Sequence, residues 1–478
     1  MTTTNSIQIS TSEIQAIFET QKQHAAKIKY TTAQERIAKL KKLETLILRF
    51  QTEIEQALFA DLRKNPAETA LTEIFSVVGE IRHAVKHLKD WLKPKKVGQT
   101  LTLLGTTGYI HTEPKGVVLI IAPWNYPFNL AINPLISAIA AGNCVVVKPS
   151  ELAPNTSAII KKILSNLATD DEISVIEGGV EVSTDLLALP FDHIFFTGSP
   201  QIGKVVMKAA AEHLTSVTLE LGGKSPAIID ETADLQDAAE KLVWGKFVNA
   251  GQTCIAPDYL LVKNEVKSHF IELLIKQIEK VYNATQEGIE KSDSLARIIN
   301  DRNFNRLVAL LDDAVLKGAT VSFGGQHIAA EKYLAPTLLT DVTTQMRVMQ
   351  EEIFGTLLPI IGYKNSDEAL EFIATQQKPL AMYIFSRDKS RIEKYIQHST
   401  AGGTCVNDCI IHIAHPDLPF GGVNNSGMGR SHGLAGMLEF TNQRSVLKQR
   451  TGFTALKLVY PPYTDKVKKL IKMLENLV

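Results

Sequence analysis

Residues 116–151 read GVVLIIAPWNYPFNLAINPLISAIAAGNCVVVKPSE. Val117–Ile121 and Cys144–Lys148 are apolar, β-branched runs of strand length, and residues 129–141 between them are long enough for a helix. A strand, a helix and a second strand over about 30 residues form a βαβ unit, whose strands lie parallel. The pattern continues with a helix at 155–167 and strands at 173–177 and 193–196, the last running into Thr197-Gly198. Ligands of such sheets bind beyond the carboxyl ends of the strands. Position therefore carries information for Trp124-Asn125 and Gly198-Ser199, which follow directly after expected strands.

Working outward, residues 1–95 read as helical. Thr32-x-x-Glu35 has the form of a capping box, and Ile37, Leu40, Leu43, Ile47, Phe50, Ile54 and Leu58 follow at helical spacing. A second amphipathic run reaches Trp91 and stops at Pro94. Residues 100–112, TLTLLGTTGYIHT, are β-formers broken by Gly105 and Gly108 and predict a hairpin. Downstream, a second alternating block spans about 225–420, with strands near 226–229, 259–262 and 356–361. No repeat or linker-like stretch separates the blocks. The tail, 464–478, predicts a helix with Val467, Leu470, Ile471, Leu474 and Leu477 on one face, beside Lys466, Lys468, Lys469 and Lys472.

Length and composition narrow the function. A chain of 478 residues suggests two or three domains. Its 51 basic residues balance 51 acidic ones, so charge gives no reason to expect nucleic acid. Four cysteines in so long a chain make no disulfide framework. The start, MTTTNSIQISTSE, lacks the basic and apolar regions of a signal peptide, and no apolar run reaches the ~18 residues of a membrane span. A soluble, cytoplasmic protein is expected.

Four stretches carry candidate chemistry. Gly198-Ser-Pro-Gln-Ile-Gly203-Lys204 has the Walker A spacing, but Val205 stands where a hydroxyl must bind Mg²⁺, and Pro200 breaks the G-x-G-x-x-G pattern. An ATPase is disfavoured, while a helix N-terminus after a strand still suits an anion. Cys254, in Asn249-Ala-Gly-Gln-Thr-Cys254, is either a small buried hydrophobe or a thiol exposed by a turn; a nucleophile also needs a lowered pKa or a nearby base. Glu220, between two leucines before Gly222-Gly223, is either paired with a base such as Lys224 or kept for proton transfer. Asn125 either belongs to a Pro-framed turn or donates to a developing oxyanion. Cys405, Cys409, His412 and His415 have metal-ligating side chains, yet four ligands within eleven consecutive residues close poorly into a tetrahedron, so no metal is expected.

Taken in order, APWNYPF, KPSE, FTGSPQIGK, LELGGKSP, GQTC, EEIFG and PFGG-x-x-x-SG-x-GR resemble the aldehyde dehydrogenase superfamily along nearly the whole chain. The short N-terminus, the 34-residue spacing from Glu220 to Cys254 and the Tyr460-Pro-Pro-Tyr tail resemble the class 3 branch, whose members are typically dimers acting on medium-chain, fatty and aromatic aldehydes with NAD or NADP. The resemblance implies an α/β fold with a Rossmann-like cofactor domain (1–98 and 116–222), a second α/β catalytic domain (223–420), a small β oligomerisation arm (99–115 and 435–458) and a helical tail (459–478).

It also implies roles. Cys254 would be the nucleophile, Asn125 with the Cys254 backbone N–H the oxyanion site, and Glu220 the base for hydrolytic water. Lys148 and Glu151 would contact the adenosine ribose, Glu151 favouring NAD while NADP stays open. Trp124, Gly198, Ser199 and Gly222 would also face the cofactor, and Glu352 with Phe354 would hold the nicotinamide ribose. The implied reaction is oxidation of an aldehyde to a carboxylic acid through a thiohemiacetal and a thioester. A CoA-acylating dehydrogenase and a non-catalytic binding protein are the alternatives; Glu220 argues against the first, and the intact Cys254, Glu220 and Asn125 together argue against the second. The expected partners are a small-molecule aldehyde and a second copy of the chain; for the tail, packing on the dimer is favoured over a membrane surface.

Overall fold

The computed structural model describes residues 9–100 and 103–476. Leu101 and Thr102 of the expected hairpin, and Leu477 of the tail stripe, lie outside them. Two parallel sheets organise the chain. The first has the order Gly427–Met428, Ser216–Leu221, His193–Gly198, Val117–Ile121, Cys144–Lys148, Ile173–Val175, parallel except for the two-residue strand at its edge. The chain leaves Val117–Ile121 toward one edge, then returns to its other side at His193–Gly198. The order thus reverses between those two strands, which opens a crevice at their carboxyl ends. Trp124-Asn125 and Gly198-Ser199 stand at this crevice.

Every residue of Val117–Ile121 and Cys144–Lys148 is buried, as strands covered on both faces must be. The helix Asn129–Ala141 is buried almost all round and ends at Gly142, whose φ of 92° is the left-handed conformation that closes helices. The Thr32/Glu35 capping box forms as expected. The helical pattern after it is two helices, Ala33–Arg49 and Gln51–Leu62, because the backbone turns at Phe50.

The second sheet orders Thr320–Phe323, Thr337–Thr340, Leu357–Tyr363, Tyr259–Lys263, Pro226–Ile229, Ala381–Phe385, Gly403–Val406, all parallel but the first pair. The third sheet corrects the hairpin reading. Gly105 makes a turn at φ 84°, Gly108 sits inside one continuous strand, Thr106–Pro114, and the long partner of that strand is Thr441–Gln449 from the far end of the chain. Lys95–Lys96 pairs on its other side. Residues 435–439, read with the arm, belong instead to a helix, Gly433–Glu439, whose Gly436 packs against Ser137 of the first unit. The tail helix runs Asp465–Glu475. Among the described residues no helix is long and apolar enough to cross a membrane.

Candidate active site

Cys254 stands on the wall between two cavities. One, about 770 Å³, opens at the crevice and is lined by Trp124, Asn125, Gly198, Ser199, Glu352 and Phe354 among others. The other, about 50 Å³, lies behind it and is lined by Leu130, Phe420, Glu80 and His432. Cys254 and Glu220 line both.

The turn that presents Cys254 is unusual backbone. Asn249, Ala250 and Gly251 all have positive φ, at 53°, 54° and 74°. Two of the three are not glycine, so surrounding bonds must hold the conformation. The Asn249 N–H donates to Glu68 Oε1 at 2.9 Å, and its Nδ2 donates to the Asn125 carbonyl at 2.8 Å. Gln252 Nε2 donates to the carbonyls of Asn249 and Arg297, each at 3.0 Å. Tyr126 and Thr253 share a 2.8 Å hydroxyl contact. The turn is thereby tied to the Asn125 loop on both sides.

Burial pushes the Cys254 thiol far up, and the Glu352 and Glu220 carboxylates add to this, while the backbone N–H groups of Cys254 and Ile255 pull it down. The thiol pKa is thus raised and not lowered, and the Glu352 and Glu220 carboxylates are near enough to act on it. Glu220 is 6% exposed. Burial raises its pKa to about 7, against the Ser431 hydroxyl, which donates to Oε1 at 2.9 Å. Oε2 has no partner. Lys224 does not pair with Glu220: it is bound to Asp258 and to the carbonyls of Val348 and Glu351. Asn125 is 3% exposed, and its Nδ2 donates to the Gln252 carbonyl at 3.0 Å. An amide nitrogen has two hydrogens, so one remains.

The larger cavity fits a dinucleotide. Ser199 caps the helix Pro200–Ala211, whose first N–H groups suit a phosphate. Glu352, raised to about 8 by burial and then by Asp258, has an unpartnered Oε1 that can accept from a sugar hydroxyl. A Cβ on Gly222 would lie 2.1 Å from the Glu352 carboxylate, so only glycine leaves the carboxylate its place. Phe354, at φ 48°, meets Trp124 edge to face at 5.3 Å between centroids. Lys148 and Glu151 are outside this lining; they form a 2.7 Å ion pair at the end of the neighbouring strand.

Sequence reasoning missed Ser431, His432 and Glu80. Ser431 follows directly on the last quoted motif. Glu80 carried a signal of its own, as a carboxylate on the buried face formed by Val77, Val78, Ile81 and Ala84. Cys409 is buried with its thiol on the Lys241 carbonyl at 3.2 Å, and His412 is packed between Tyr383 and Phe420. Among the described residues no group of three His, Cys, Asp or Glu side chains could hold a metal ion.

Residues 2–446 match the model of the aldehyde dehydrogenase family. The 4,4′-diaponeurosporen-aldehyde dehydrogenase of Staphylococcus aureus is 45% identical over 91% of this chain and 94% of its own length. The dimeric NADP-preferring aldehyde dehydrogenase of Canis lupus familiaris is 43% identical over 90% of this chain and 94% of its own. A structure described as the substrate-bound state of Staphylococcus aureus AldH superposes with a TM-score of 0.92 at 43% identity, covering 96% of this chain and 99% of that one. None of the three is described as CoA-acylating. The chain belongs to the aldehyde dehydrogenase family, and it is an NAD(P)-dependent oxidoreductase of aldehydes.

Proposed function

We propose that Cys254 is the nucleophile, Asn125 the oxyanion donor and Glu220 the base that activates water. The observation that carries this reading is the place of Cys254 and Glu220 on the wall between the two cavities, with Asn125 lining the larger one beside them. Cys254 Sγ adds to the aldehyde carbon once its proton has gone to a carboxylate; Glu352 and Glu220, which raise the thiol, are the groups near enough to interact. The carbonyl oxygen gains charge in that step. The free hydrogen of Asn125 Nδ2 and the backbone N–H of Cys254 meet it without reorganisation. When bound, the nicotinamide cofactor accepts the hydride that oxidises this thiohemiacetal to a thioester. Glu220 then takes a proton from water, for which a pKa of about 7 is well matched.

The cofactor would lie in the larger cavity, with its phosphates at Ser199 and the N-terminus of Pro200–Ala211 and its ribose hydroxyl on Glu352. Gly198, Gly222, Trp124 and Phe354 would shape the remainder. Lys148 holds the Glu151 carboxylate, which would accept from the adenosine ribose and disfavour a 2′-phosphate; we therefore favour NAD, with NADP also accepted. The apolar wall formed by Leu130, Ile413 and Phe420 beside Cys254 supports a medium-chain, fatty or aromatic aldehyde as substrate.

We also assign a cytoplasmic location, a homodimer built on the arm, and a tail that packs on that dimer. If truncation after Gln449 reduces partitioning into liposomes, the tail contacts membranes instead. NADH formation from a panel running from acetaldehyde to decanal plus benzaldehyde, with and without CoA, tests the chemistry. Activity should need no CoA and vanish in Cys254→Ala. A requirement for CoA would overturn the role given to Glu220.

A further inference from the structure

The backbone carbonyl of Asn125 is held from two directions. Asn249 Nδ2 donates to it at 2.8 Å, and so does the Lys64 ammonium, at 3.3 Å. Lys64 lines neither cavity. Its side chain is fully buried, and Nζ lies 2.7 Å from Glu73 Oε1, a carboxylate that is fully buried as well. The other oxygen of Glu73 accepts from the Asn129 N–H at 2.8 Å. The ammonium also stands over the Tyr126 ring, 4.1 Å from its centroid. One ion pair therefore grips the chain at both ends of the span from Asn125, the oxyanion donor, to Asn129, the first residue of the helix Asn129–Ala141. At that helix N-terminus the negative charge of Glu73 is favoured. The gripped segment is the wall of the site: Asn125 lines the larger cavity, Asn129 the smaller one, and Leu130 both.

Stability is a poor reason for such a pair. Two charges taken out of water lose hydration that their attraction does not fully repay, and apolar side chains of the same volume would serve a core as well or better. The backbone that carries the pair is irregular at both places. Arg63, directly before Lys64, has φ 51°. Glu73 lies within Ala70–Phe75, a π-helical turn set between the helices Pro66–Thr69 and Ser76–Trp91. Such turns are rare and occur frequently at functional sites.

We propose that Lys64 and Glu73 are positioning residues for the oxyanion step: they fix the Asn125 peptide so that the free hydrogen of its Nδ2 meets the aldehyde oxygen as that oxygen gains charge. One hydrogen of Nδ2 is spent on the Gln252 carbonyl. With the Asn125 carbonyl held by Lys64 and Asn249, and Asn129 held by Glu73, the loop has no slack through which the other hydrogen could swing aside. Placement of this kind matters to rate, since a shift of about 1 Å in a reacting geometry costs about a hundredfold. A preorganised donor acts only where charge develops, so its displacement lowers the rate and leaves substrate binding as it was.

The inference rests on the reading of Asn125 as the oxyanion donor, and one experiment separates the two. The pre-steady-state rate of NADH formation from the best aldehyde of the panel is measured for five full-length proteins: wild type, Lys64→Met, Lys64→Met/Glu73→Gln, Asn125→Ala and the combination of the last two. Lys64→Met leaves the Glu73 charge alone in the interior and should melt well below wild type. Adding Glu73→Gln removes that charge, keeps an acceptor for the Asn129 N–H, and should recover most of the melting temperature. The rate should not recover with it. Both Lys64 variants should form NADH about tenfold or more slowly, with KM for aldehyde and for cofactor changed by under about twofold. In the Asn125→Ala background, Lys64→Met/Glu73→Gln should cost under about twofold further, because the group it positions is gone. A rate that recovers with stability would assign the pair a structural role. So would a full tenfold loss in the Asn125→Ala background, and either result overturns the proposal. Asn125→Ala at the wild-type rate would overturn the oxyanion reading, and this inference with it. Should one of the two Lys64 variants fail to fold, the other decides, since the expected loss is the same.

Discussion

A carboxyl group moved from water to the wall beside Cys254 keeps its proton to higher pH, and the same shift is a statement about stability. Glu220 has a pKa of about 7 in the fold against an ordinary 4.5, so between those values the folded state binds more protons than the unfolded chain. Stability therefore falls as pH rises through that window. Glu220→Gln removes the term. Relative to wild type, the variant should gain about 3 kcal/mol between pH 4.5 and pH 8, as read from denaturant melts, while losing thioester hydrolysis. A pH-independent difference would mean that the carboxyl titrates normally. Gly222→Ala probes the cofactor side: its Cβ would displace the Glu352 carboxylate, so the cofactor KM should rise about tenfold with little change in melting temperature. An unchanged KM would free Glu352 from any cofactor role. Local setting left Cys254, Glu220 and Asn125 each with a bland structural reading beside the chemical one; the ordered motifs resembling the aldehyde dehydrogenase superfamily are what singled them out as candidates. The Ser431 hydroxyl on Glu220 was not legible, since only the antiparallel pairing of Gly427 with Glu220 brings that segment alongside.

The element that presents Cys254 is a turn whose geometry is enforced from outside. Gly251 has φ 74°, and a Cβ there would lie 2.1 Å from the Gly355 carbonyl oxygen, a backbone atom that cannot swing away. Gly251→Ala should destabilise the fold by about 1–3 kcal/mol. It should also lower kcat more than it raises the aldehyde KM, because the thiol is displaced and the cavities are kept. A stable variant with wild-type kcat would show that the turn can relax. At this scale the parallel strands were legible, since strands buried on both faces read as unbroken apolar runs. The arm was not. A run of β-formers with two glycines looks like a hairpin when only neighbours in sequence are considered. Thr106–Pro114 instead finds its partner in Thr441–Gln449, and no local pattern encodes a pairing at that separation.

In the whole molecule, that three-stranded sheet leaves Thr441–Gln449 as an edge with one partner strand among the described residues. An uncovered edge strand invites pairing with another chain. Beside it, Leu447, Phe453, Leu456 and Tyr460 are between 42% and 57% exposed and gather round a cleft of about 410 Å³. Single exposed apolar side chains are ordinary, but a contiguous group on an open edge is the form of an interface. A symmetric dimer would place the same patch on both subunits, so one substitution acts twice. Leu447→Asp puts two carboxylates into such an interface and should weaken the dimer by about 2 kcal/mol or more per subunit. Light scattering across a concentration series should then show monomer where the wild type remains dimeric. No described residue of this sheet lines either cavity at Cys254, so the isolated monomer should retain burst formation of NADH. A Leu447→Asp protein that stays fully dimeric would place the subunit contact elsewhere and leave the arm's open edge without a partner.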